Sequence, residues 1–249
     1  MRENEMSRLI TILSKHTAAD LYAWNKVWVN LPGRPIFSYD VGYQGNKIKS
    51  FTINQHPEFD EQRFWPQVFT LKLVYPRRTK IVTVNMKGAK LELASLKGVE
   101  KPLYYLFNAN GMGYGLFPVD KAMLGTINLL AEPVERASVY INLYENTLAG
   151  NYLKPKEAID LYVKMLGSEK NELNLRLITN YVSNLYWNFL KEEDRNAMHE
   201  ELEKSLWTSM SEHSETNCKK ILFNTYQNVY LSDQAAKRML EIYEDLMKI

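Results

Sequence analysis

Alternating apolar side chains mark a strand in the first half of the chain, in the stretch Val68-Phe69-Thr70-Leu71-Lys72-Leu73-Val74-Tyr75. A period of two residues is typical of a β-strand with one buried face. Similar short runs follow at residues 81–84, 90–93 and 103–107, and turn-forming Gly, Pro and Asn residues separate them. Closely spaced strands without intervening helices favour an antiparallel arrangement. We therefore predict a small antiparallel β-sandwich over residues 33–118.

The hydrophobic period changes to that of a helix after Asp120. Pro155 suits a first helical turn and Gly167 a helix end, and Ser168 is predicted to cap the next helix. A further helix is predicted after Ser232, with a stripe that extends to Met247. Consecutive amphipathic helices on short connections must bury their stripes against neighbours. Residues 119–249 are therefore predicted to form an all-α domain, a bundle or a helical solenoid, with an armadillo/HEAT-like array of degenerate helix pairs as the favoured description.

Composition and charge divide the chain at the same place. Residues 1–120 hold 8 of the 11 glycines and 7 of the 9 prolines, and 16 Lys/Arg against 10 Asp/Glu give this part a net charge of +6. Residues 121–249 hold 15 Lys/Arg against 19 Asp/Glu, a net charge of −4. Because Gly and Pro punctuate turns, the first part should be rich in turns and the second mostly helical.

The overall composition excludes several classes of protein. The 249 residues are 45% hydrophobic and 24% charged, with one Cys, which excludes a disordered chain, a collagen and a disulfide-stapled miniprotein. No apolar run approaches the roughly 18 residues of a membrane helix, so we expect no membrane span. A net charge of +2 gives no indication of nucleic-acid binding. Nothing in the sequence indicates a compartment.

The first 32 residues do not fit the β-rich part. Leu9, Ile10 and Leu13 have helical spacing, and Thr17 with Asp20 resembles a helix start. An apolar stripe through Trp24 and Trp28 then ends at Leu31-Pro32-Gly33-Arg34-Pro35. Because these helices have no partner layer of their own, we expect residues 1–32 to be the end of a larger domain, with apolar side chains near the two tryptophans exposed as a patch.

One segment comes close to a metal motif, His199-Glu200-Glu201-Leu202-Glu203. A zincin helix needs H-E-x-x-H, because two imidazoles one turn apart bind the metal, and Glu203 stands where the second His should be. A solvated helix face is the favoured interpretation. The remaining histidines, His16, His56 and His213, have no ligand spacing and are expected at the surface or in turns.

The other candidate chemistry also has a simpler interpretation. Gly111-Met112-Gly113-Tyr114-Gly115 lacks the dinucleotide-binding spacing and predicts a tight turn or a bulge between edge strands. Cys218 has no activating His, and the basic residues Lys72, Arg77, Arg78 and Lys80 are expected to form a solvated turn. Arg136 and Arg176 could bind a peptide carboxylate, but an ordinary salt bridge is favoured for each. We assign no catalytic, cofactor-binding or metal-binding residue.

Three segments, in order, resemble the zinc aminopeptidases of the aminopeptidase N family. Residues 28–37 (Trp-Val-Asn-Leu-Pro-Gly-Arg-Pro-Ile-Phe) resemble the junction at which those enzymes leave their catalytic domain. Residues 51–55 and 64–69 look like a family strand with a glutamine and a later Trp-x-x-Pro-type strand. Residues 107–116 with Asp120 are similar to the family's Asn-x-x-x-x-Gly-Tyr-Tyr-Arg-x-x-Tyr-Asp segment, although Gly115 replaces its second Tyr and Leu116 its Arg.

This resemblance implies a noncatalytic role for the chain. The family's zinc helix and its other catalytic residues belong to a preceding domain, so the chain would be the end of that domain (residues 1–32), the β-sandwich (33–118) and the helical C-terminal domain (119–249). In the family the helical domain closes a chamber over the active site. The resemblance thus implies substrate gating, the absent catalytic domain and its peptide substrate as partners, and zinc only in the parent protein.

Two alternatives stay open at the level of sequence. The chain could be a stand-alone helical scaffold or a peptide- or protein-binding module without catalysis, since one fold can serve either role. A carbohydrate-binding sandwich would instead need a coplanar platform of exposed aromatic side chains.

Overall fold

A computed structural model describes residues 2–59 and 63–244 of the chain, with the side chains of residues 2–5 outside the description. The strands are β1 (Pro35–Gln44), β2 (Lys47–Pro57), β3 (Gln67–Val74), β4 (Thr79–Met86), β5 (Lys90–Glu92) and β6 (Tyr104–Phe107). The α-helices are α1 (Arg2–Leu13), α2 (Leu21–Asn25), α3 (Pro133–Leu148), α4 (Pro155–Leu166), α5 (Glu172–Phe189), α6 (Glu192–Glu212), α7 (Thr216–Val229) and α8 (Asp233–Tyr243). A π-helical turn (Lys26–Asn30) continues α2, and four single turns of 3₁₀-helix lie at Ser14–His16, Ala94–Leu96, Lys121–Met123 and Ile127–Leu129.

Two small antiparallel sheets precede the main group of helices. In the first sheet β2 lies between β1 and β5. The β1–β2 register shifts once, at Gly42/Tyr43, where β1 carries an irregularity. In the second sheet β3 and β4 pair without a break from Gln67↔Met86 to Val74↔Thr79. The alternation seen in the sequence is real, because Phe69, Leu71 and Leu73 are fully buried while their neighbours are not.

Helices α4 and α5 each bury an apolar stripe. Buried apolar side chains recur at helical spacing along α4, where Ala158, Ile159 and Tyr162 are inaccessible to solvent. Along α5 the same is true of Leu175, Ile178, Val182 and Leu185. The Tyr162 hydroxyl donates to the Tyr140 carbonyl oxygen at 3.0 Å and so joins α4 to α3.

Of the four predicted helix starts, two are wrong and two are confirmed, and α4 begins at Pro155 as predicted. Ser168 does not cap α5, because its hydroxyl donates backwards to the Met165 carbonyl, and the Asn171 side chain accepts from Asn174 N–H instead. At the N-terminal end, α2 starts at Leu21 with Asp20 as its cap, so Thr17 lies outside the helix. Ser232 caps α8 by accepting from Ala235 N–H. The predicted end of its stripe, Met247, lies outside the described residues.

The described chain divides into two compact units. Residues up to Leu103 together with Met112–Pro118 form the first unit, and Tyr104–Gly111 with the residues from Val119 onward form the second. The predicted layout of antiparallel strands followed by helices is confirmed. The predicted domain limits at residues 33 and 119 stay predictions.

Candidate functional site

Residues from four stretches of sequence, 32–37, 55, 63–69 and 114–117, meet in the first unit. We name the meeting point the junction cluster and define it by the residues Pro32, Pro35, Phe37, Gln55, Arg63, Trp65, Gln67, Phe69, Tyr114, Gly115 and Phe117. Three aromatic rings form its apolar centre: Phe37 stacks on Phe117 with a centroid distance of 4.4 Å, and Phe69 meets both rings edge-on. Segments distant in the sequence therefore share one packed site.

The Gln55 side chain holds the segment of chain that leads into β3. Its side chain is 3% exposed, and its amide group donates to the Gly88 carbonyl oxygen at 2.8 Å. Its carbonyl oxygen accepts from the Trp65 backbone N–H at 3.2 Å. Because its donor and acceptor are both hydrogen-bonded, the buried Gln55 amide can hold the Trp65 backbone in position although Trp65 lies outside any β-strand. Gln55 therefore has a structural role here.

Arg63 joins the same site to the end of the N-terminal helices. Its guanidinium lies over the Trp65 ring at 4.2 Å and donates to the Pro32 carbonyl oxygen. Arg63 is buried, and its Nε and Nη1 atoms have no hydrogen-bond partner among the described residues. A guanidinium that stacks on tryptophan recovers part of its lost hydration through cation–π attraction. Arg63 thus holds the Pro32 backbone against Trp65.

The glycine-rich loop is clamped by side-chain and backbone contacts. The Gln67 side chain accepts from Tyr114 N–H at 2.8 Å and donates to the Tyr114 carbonyl oxygen at 3.0 Å. Gly115 has φ +133°, and a β-carbon there would lie 2.5 Å from the Pro35 carbonyl oxygen. Only glycine fits such a close approach of two backbones. The close packing of this loop against the start of β1 therefore requires glycine at position 115.

The helices before the junction cluster leave an apolar surface uncovered. We name it the N-terminal apolar face and define it by its exposed members Met6, Leu9, Ile12, Leu13, Tyr22, Trp24, Val29 and Leu31. Leu9 and Trp24 are each 47% exposed. Isolated exposed apolar residues are ordinary, but this 26-residue segment exposes eight large apolar side chains, more than such scattered exposure accounts for. The predicted exposure near Trp24 is confirmed.

Trp28 connects this face to the junction cluster. Its ring stacks on Trp24 with a centroid distance of 6.4 Å and meets Tyr114 at 5.9 Å. The Trp28 Nε1–H is buried and has no hydrogen-bond partner among the described residues. Between the helices, the hydroxyls of Thr11 and Tyr22 lie 3.1 Å apart. The N-terminal helices are thus anchored at one end and uncovered over much of their surface.

The helical unit has a buried charged network around Glu169. Its carboxylate accepts two hydrogen bonds from Arg136, each of 2.8 Å, and one from the Tyr140 hydroxyl at 3.1 Å. The Asn171 backbone N–H donates at 2.9 Å, and the Glu169 side chain is fully buried. Arg136 also donates to two carbonyl oxygens, those of Leu130 and Ala131. The Arg136 guanidinium is therefore engaged within the fold.

The protonation of this network follows from its contacts. Burial by itself would raise the pKa of Glu169, but the hydrogen bonds from Arg136 and Asn171 outweigh burial and hold that pKa below its ordinary value. The hydrogen bond to Glu169 raises the pKa of Arg136. Arg176, the other candidate arginine, forms an exposed pair with Glu172 at 3.3 Å in α5. Both arginines thus form salt bridges.

The near-zinc segment is used to cap a helix. Glu203 is buried, and its carboxylate accepts from the backbone N–H groups of Leu231 and Ser232 at 2.7 and 3.0 Å. The Ser232 hydroxyl donates to Glu203 at 2.5 Å. Among residues 2–59 and 63–244, no cluster of three His, Cys, Asp or Glu side chains could hold a metal ion.

An open cleft of about 730 Å³ lies beside this cap in the helical unit. His199, Glu203, Trp207 and Arg238 are among its lining residues. The Arg238 guanidinium lies over the Trp207 ring at 4.2 Å and donates to the Tyr226 hydroxyl at 3.3 Å. The cleft therefore offers an aromatic and cationic wall beside a buried carboxylate.

The remaining candidates have structural roles. His213 is not at the surface as predicted: it is buried at the end of α6, and its Nε2 lies 2.9 Å from the Leu166 carbonyl oxygen. Cys218 is a buried free thiol, and burial raises its pKa, with Glu172 and Glu215 adding to the effect. In the basic turn, Arg78 pairs with Glu100 at 2.8 Å and lies over the Tyr75 ring.

Sequence reasoning missed Glu169, Arg63 and Gln67. Glu169 lies in the connection between α4 and α5, and Arg63 and Gln67 flank Trp65 with no periodic pattern. Their partners, Arg136, Pro32 and Tyr114, are 31 to 47 residues away in sequence. The sequence feature that could have indicated Arg63 and Gln67 is the position of a charged and an amide residue on either side of Trp65 and Pro66.

No protein-family model matches this chain, and no curated protein matches it in sequence. A separate finding concerns membranes: in the part of the chain that the structure describes, every helix is too short or too polar to cross a bilayer.

Proposed function

We propose that the chain is the noncatalytic C-terminal portion of a peptidase that resembles the zinc aminopeptidases of the aminopeptidase N family. In this proposal the two sheets form a β-sandwich spacer, and the helices form an armadillo/HEAT-like domain that gates access of peptides to a preceding catalytic domain. Zinc would be bound by that domain and by none of this chain's residues. The parent protein would release N-terminal residues from peptides.

The observation that carries the proposal is the N-terminal apolar face. Its exposed residues lie on α1, on α2, on the π-helical turn and at Leu31, directly before the Pro32–Pro35 junction. Burying a large apolar side chain is worth about 1.5–3 kcal/mol, so a face with Leu9, Ile12 and Trp24 exposed favours a covering layer. The proposal identifies that layer with the catalytic domain.

The arrangement of the junction cluster supports the same proposal. Segments 28–37, 51–55, 64–69 and 107–116 each resemble part of the family's sequence, and each contributes a residue to one site through the contacts of Trp28, Gln55 and Gln67. A spacer between two domains needs a rigid connection, and the clamps on Pro32 and Gly115 supply one.

The first test measures the native protein. Native protein captured with an antibody against this chain should be larger than 29.1 kDa and should contain an H-E-x-x-H helix before residue 1. The purified 249-residue chain should not hydrolyse an aminoacyl-anilide in the presence of zinc. A native mass of 29.1 kDa, or chelator-sensitive activity of the chain alone, would refute the proposal.

The second test measures whether the N-terminal apolar face is accessible to solvent in the native protein. Trp24→Cys should react with a maleimide much more slowly in the native parent than in the isolated chain, because a second domain covers it. Leu173→Cys is the matched control, since Leu173 is 74% exposed on α5 and should react equally in both. Buried Cys218 gives little background. Equal labelling of Trp24→Cys in both proteins would contradict the proposal.

A second candidate function is a stand-alone helical module that binds peptides or proteins. The cleft beside Trp207 and Arg238 favours it, because an aromatic and cationic wall suits an extended polar ligand. A bound peptide should then change Trp207 fluorescence, and Arg238→Gln should abolish the change while Lys219→Gln leaves it intact. This candidate also requires the native protein to have the mass of the chain alone.

A further inference from the structure

The strand β4 forms an edge of its sheet with no described partner on its outer side. It pairs with β3 over all eight of its residues. No backbone hydrogen bond among the described residues joins β4 to any other strand or loop. At about 3.3 Å per residue, this leaves roughly 26 Å of strand edge with unpaired N–H and C=O groups.

The other strands of the first unit protect their edges, and β4 does not. β1 is interrupted by the irregularity at Gly42/Tyr43, and its first residues exchange backbone hydrogen bonds with Leu116. β5 has only three residues. Irregularities, covering segments and short strands are the usual protections against edge pairing. The β3–β4 register, in contrast, is continuous.

The sequence of β4 suits edge pairing. Residues 81–86 (Ile-Val-Thr-Val-Asn-Met) contain no charge, no Gly and no Pro, and the first four are β-branched. The single charge of the strand is Lys80, next to the turn. On the outward face, Ile81 is 62% exposed and Val68 of the adjacent strand is 50% exposed. One lysine at one end leaves most of the edge open.

The edge is complementary to itself. Antiparallel pairing of two β4 strands keeps every side chain on its own face when Val82 lies opposite Val82 of the second copy, or Thr83 opposite Thr83. In the first register Lys80 lies opposite Val84 of the second copy, and in the second register opposite Met86. Neither register places two lysines opposite each other, and in both, Ile81 gains a neighbour from the second copy.

We propose that two copies of this chain associate through β4, in an antiparallel, two-fold symmetric pair that joins their second sheets into one continuous sheet. Such an interface is isologous, because each copy contributes the same strand. The occupant is a second copy because an open edge needs a partner edge of equal length, and β4 itself supplies one. The pairing does not depend on the proposed peptidase parent.

The test is sedimentation of the full chain over a wide range of concentrations. The chain should show a monomer–dimer equilibrium, and Thr83→Lys should weaken it by about tenfold or more, because two lysines then lie beside the two-fold axis. Thr52→Lys is the matched control: it makes the same substitution on central strand β2, between Asp40 and Glu92, and should leave the dimer unchanged.

Two further variants separate β4 pairing from other association. Trp24→Ser reduces the N-terminal apolar face and should not alter the dimer. If Thr83→Lys impairs folding, Thr83→Cys replaces it and should form an oxidised dimer where Thr52→Cys does not. A monomer at all concentrations, a dimer lost in Trp24→Ser but not in Thr83→Lys, or association only with an unrelated extended peptide would each overturn the proposal.

Discussion

The helices α1 and α5 carry similar apolar stripes, but the stripe of α5 is buried and that of α1 is largely exposed. In α5 the side chains of Leu175, Ile178, Val182 and Leu185 are fully buried, because α4, α7 and α3 pack around them. In α1 Leu9, Ile12 and Leu13 are each nearly half exposed, and Ile10 is the one buried side chain among residues 6–13. An amphipathic pattern therefore specifies a helix with one apolar side, and the burial of that side depends on a neighbouring layer.

The largest expected effect is on the buried pair of the helical unit. Arg136→Ala removes both hydrogen bonds to the Glu169 carboxylate and leaves a charge buried without its cation, which costs about 3–5 kcal/mol. Hydrogen exchange of α5 amides measures this loss in the helical unit. Arg176→Ala, which breaks an exposed pair, should cost less than about 0.5 kcal/mol. Equal effects would show that burial does not distinguish the two pairs.

The comparison of stripes is tested directly by two leucine variants. Leu185→Ala should lower the free energy of unfolding of the helical unit by about 2–5 kcal/mol, because it leaves a cavity in a closed core. Leu9→Ala should change the stability of the first unit by less than about 0.5 kcal/mol, since the side chain is already half in water. Exchange rates of amides in α5 and in β3 report the two units. A large loss in Leu9→Ala would contradict the exposed face.

A smaller effect is expected at the start of α8. Ser232→Ala removes the acceptor for Ala235 N–H and the donor to Glu203, and should cost about 1–2 kcal/mol of local stability. Exchange of the first amides of α8 provides the measurement. Ser168→Ala is the control, because Ser168 caps no helix and its loss should cost less than about 0.5 kcal/mol. A loss of stability in Ser168→Ala larger than about 0.5 kcal/mol would support Ser168 as the N-cap of α5, as the sequence predicted.

The smallest expected effect is a change in acid sensitivity. The pKa of Glu169 is lowered in the folded chain, so its contribution to stability is present above the ordinary glutamate value of about 4.3 and is lost as the pH falls through the lowered value. Below about pH 4.3, the stability of Glu169→Gln should therefore fall less steeply with decreasing pH than that of the unsubstituted 249-residue chain. Urea unfolding at a series of pH values measures the slope. Identical slopes would show that Glu169 does not titrate with folding.

Much of the fold was predictable because its signals are local. Alternation fixed the strand around Phe69–Leu73, and Pro155 and Ser232 marked helix starts through their own backbone chemistry. The predicted cap at Ser168 is wrong because several polar residues near a helix start can serve as its N-cap. Which of them does so, here Asn171, depends on where the preceding helix ends. Exposure near Trp24 was also predictable, since a helical stripe without a partner layer stays uncovered.

The sequence alone determined the order of strands before helices, the positions of most turns and the apolar character of the first 30 residues, because these depend on neighbours in the chain. The tertiary structure decided which residues meet. It brought Arg136 to Glu169, Gln67 to Tyr114 and Arg63 to Pro32, and it turned Glu203 from a near-zinc ligand into a helix cap. These contacts join residues 28 to 47 positions apart, and a single sequence contains no local pattern that encodes such distances.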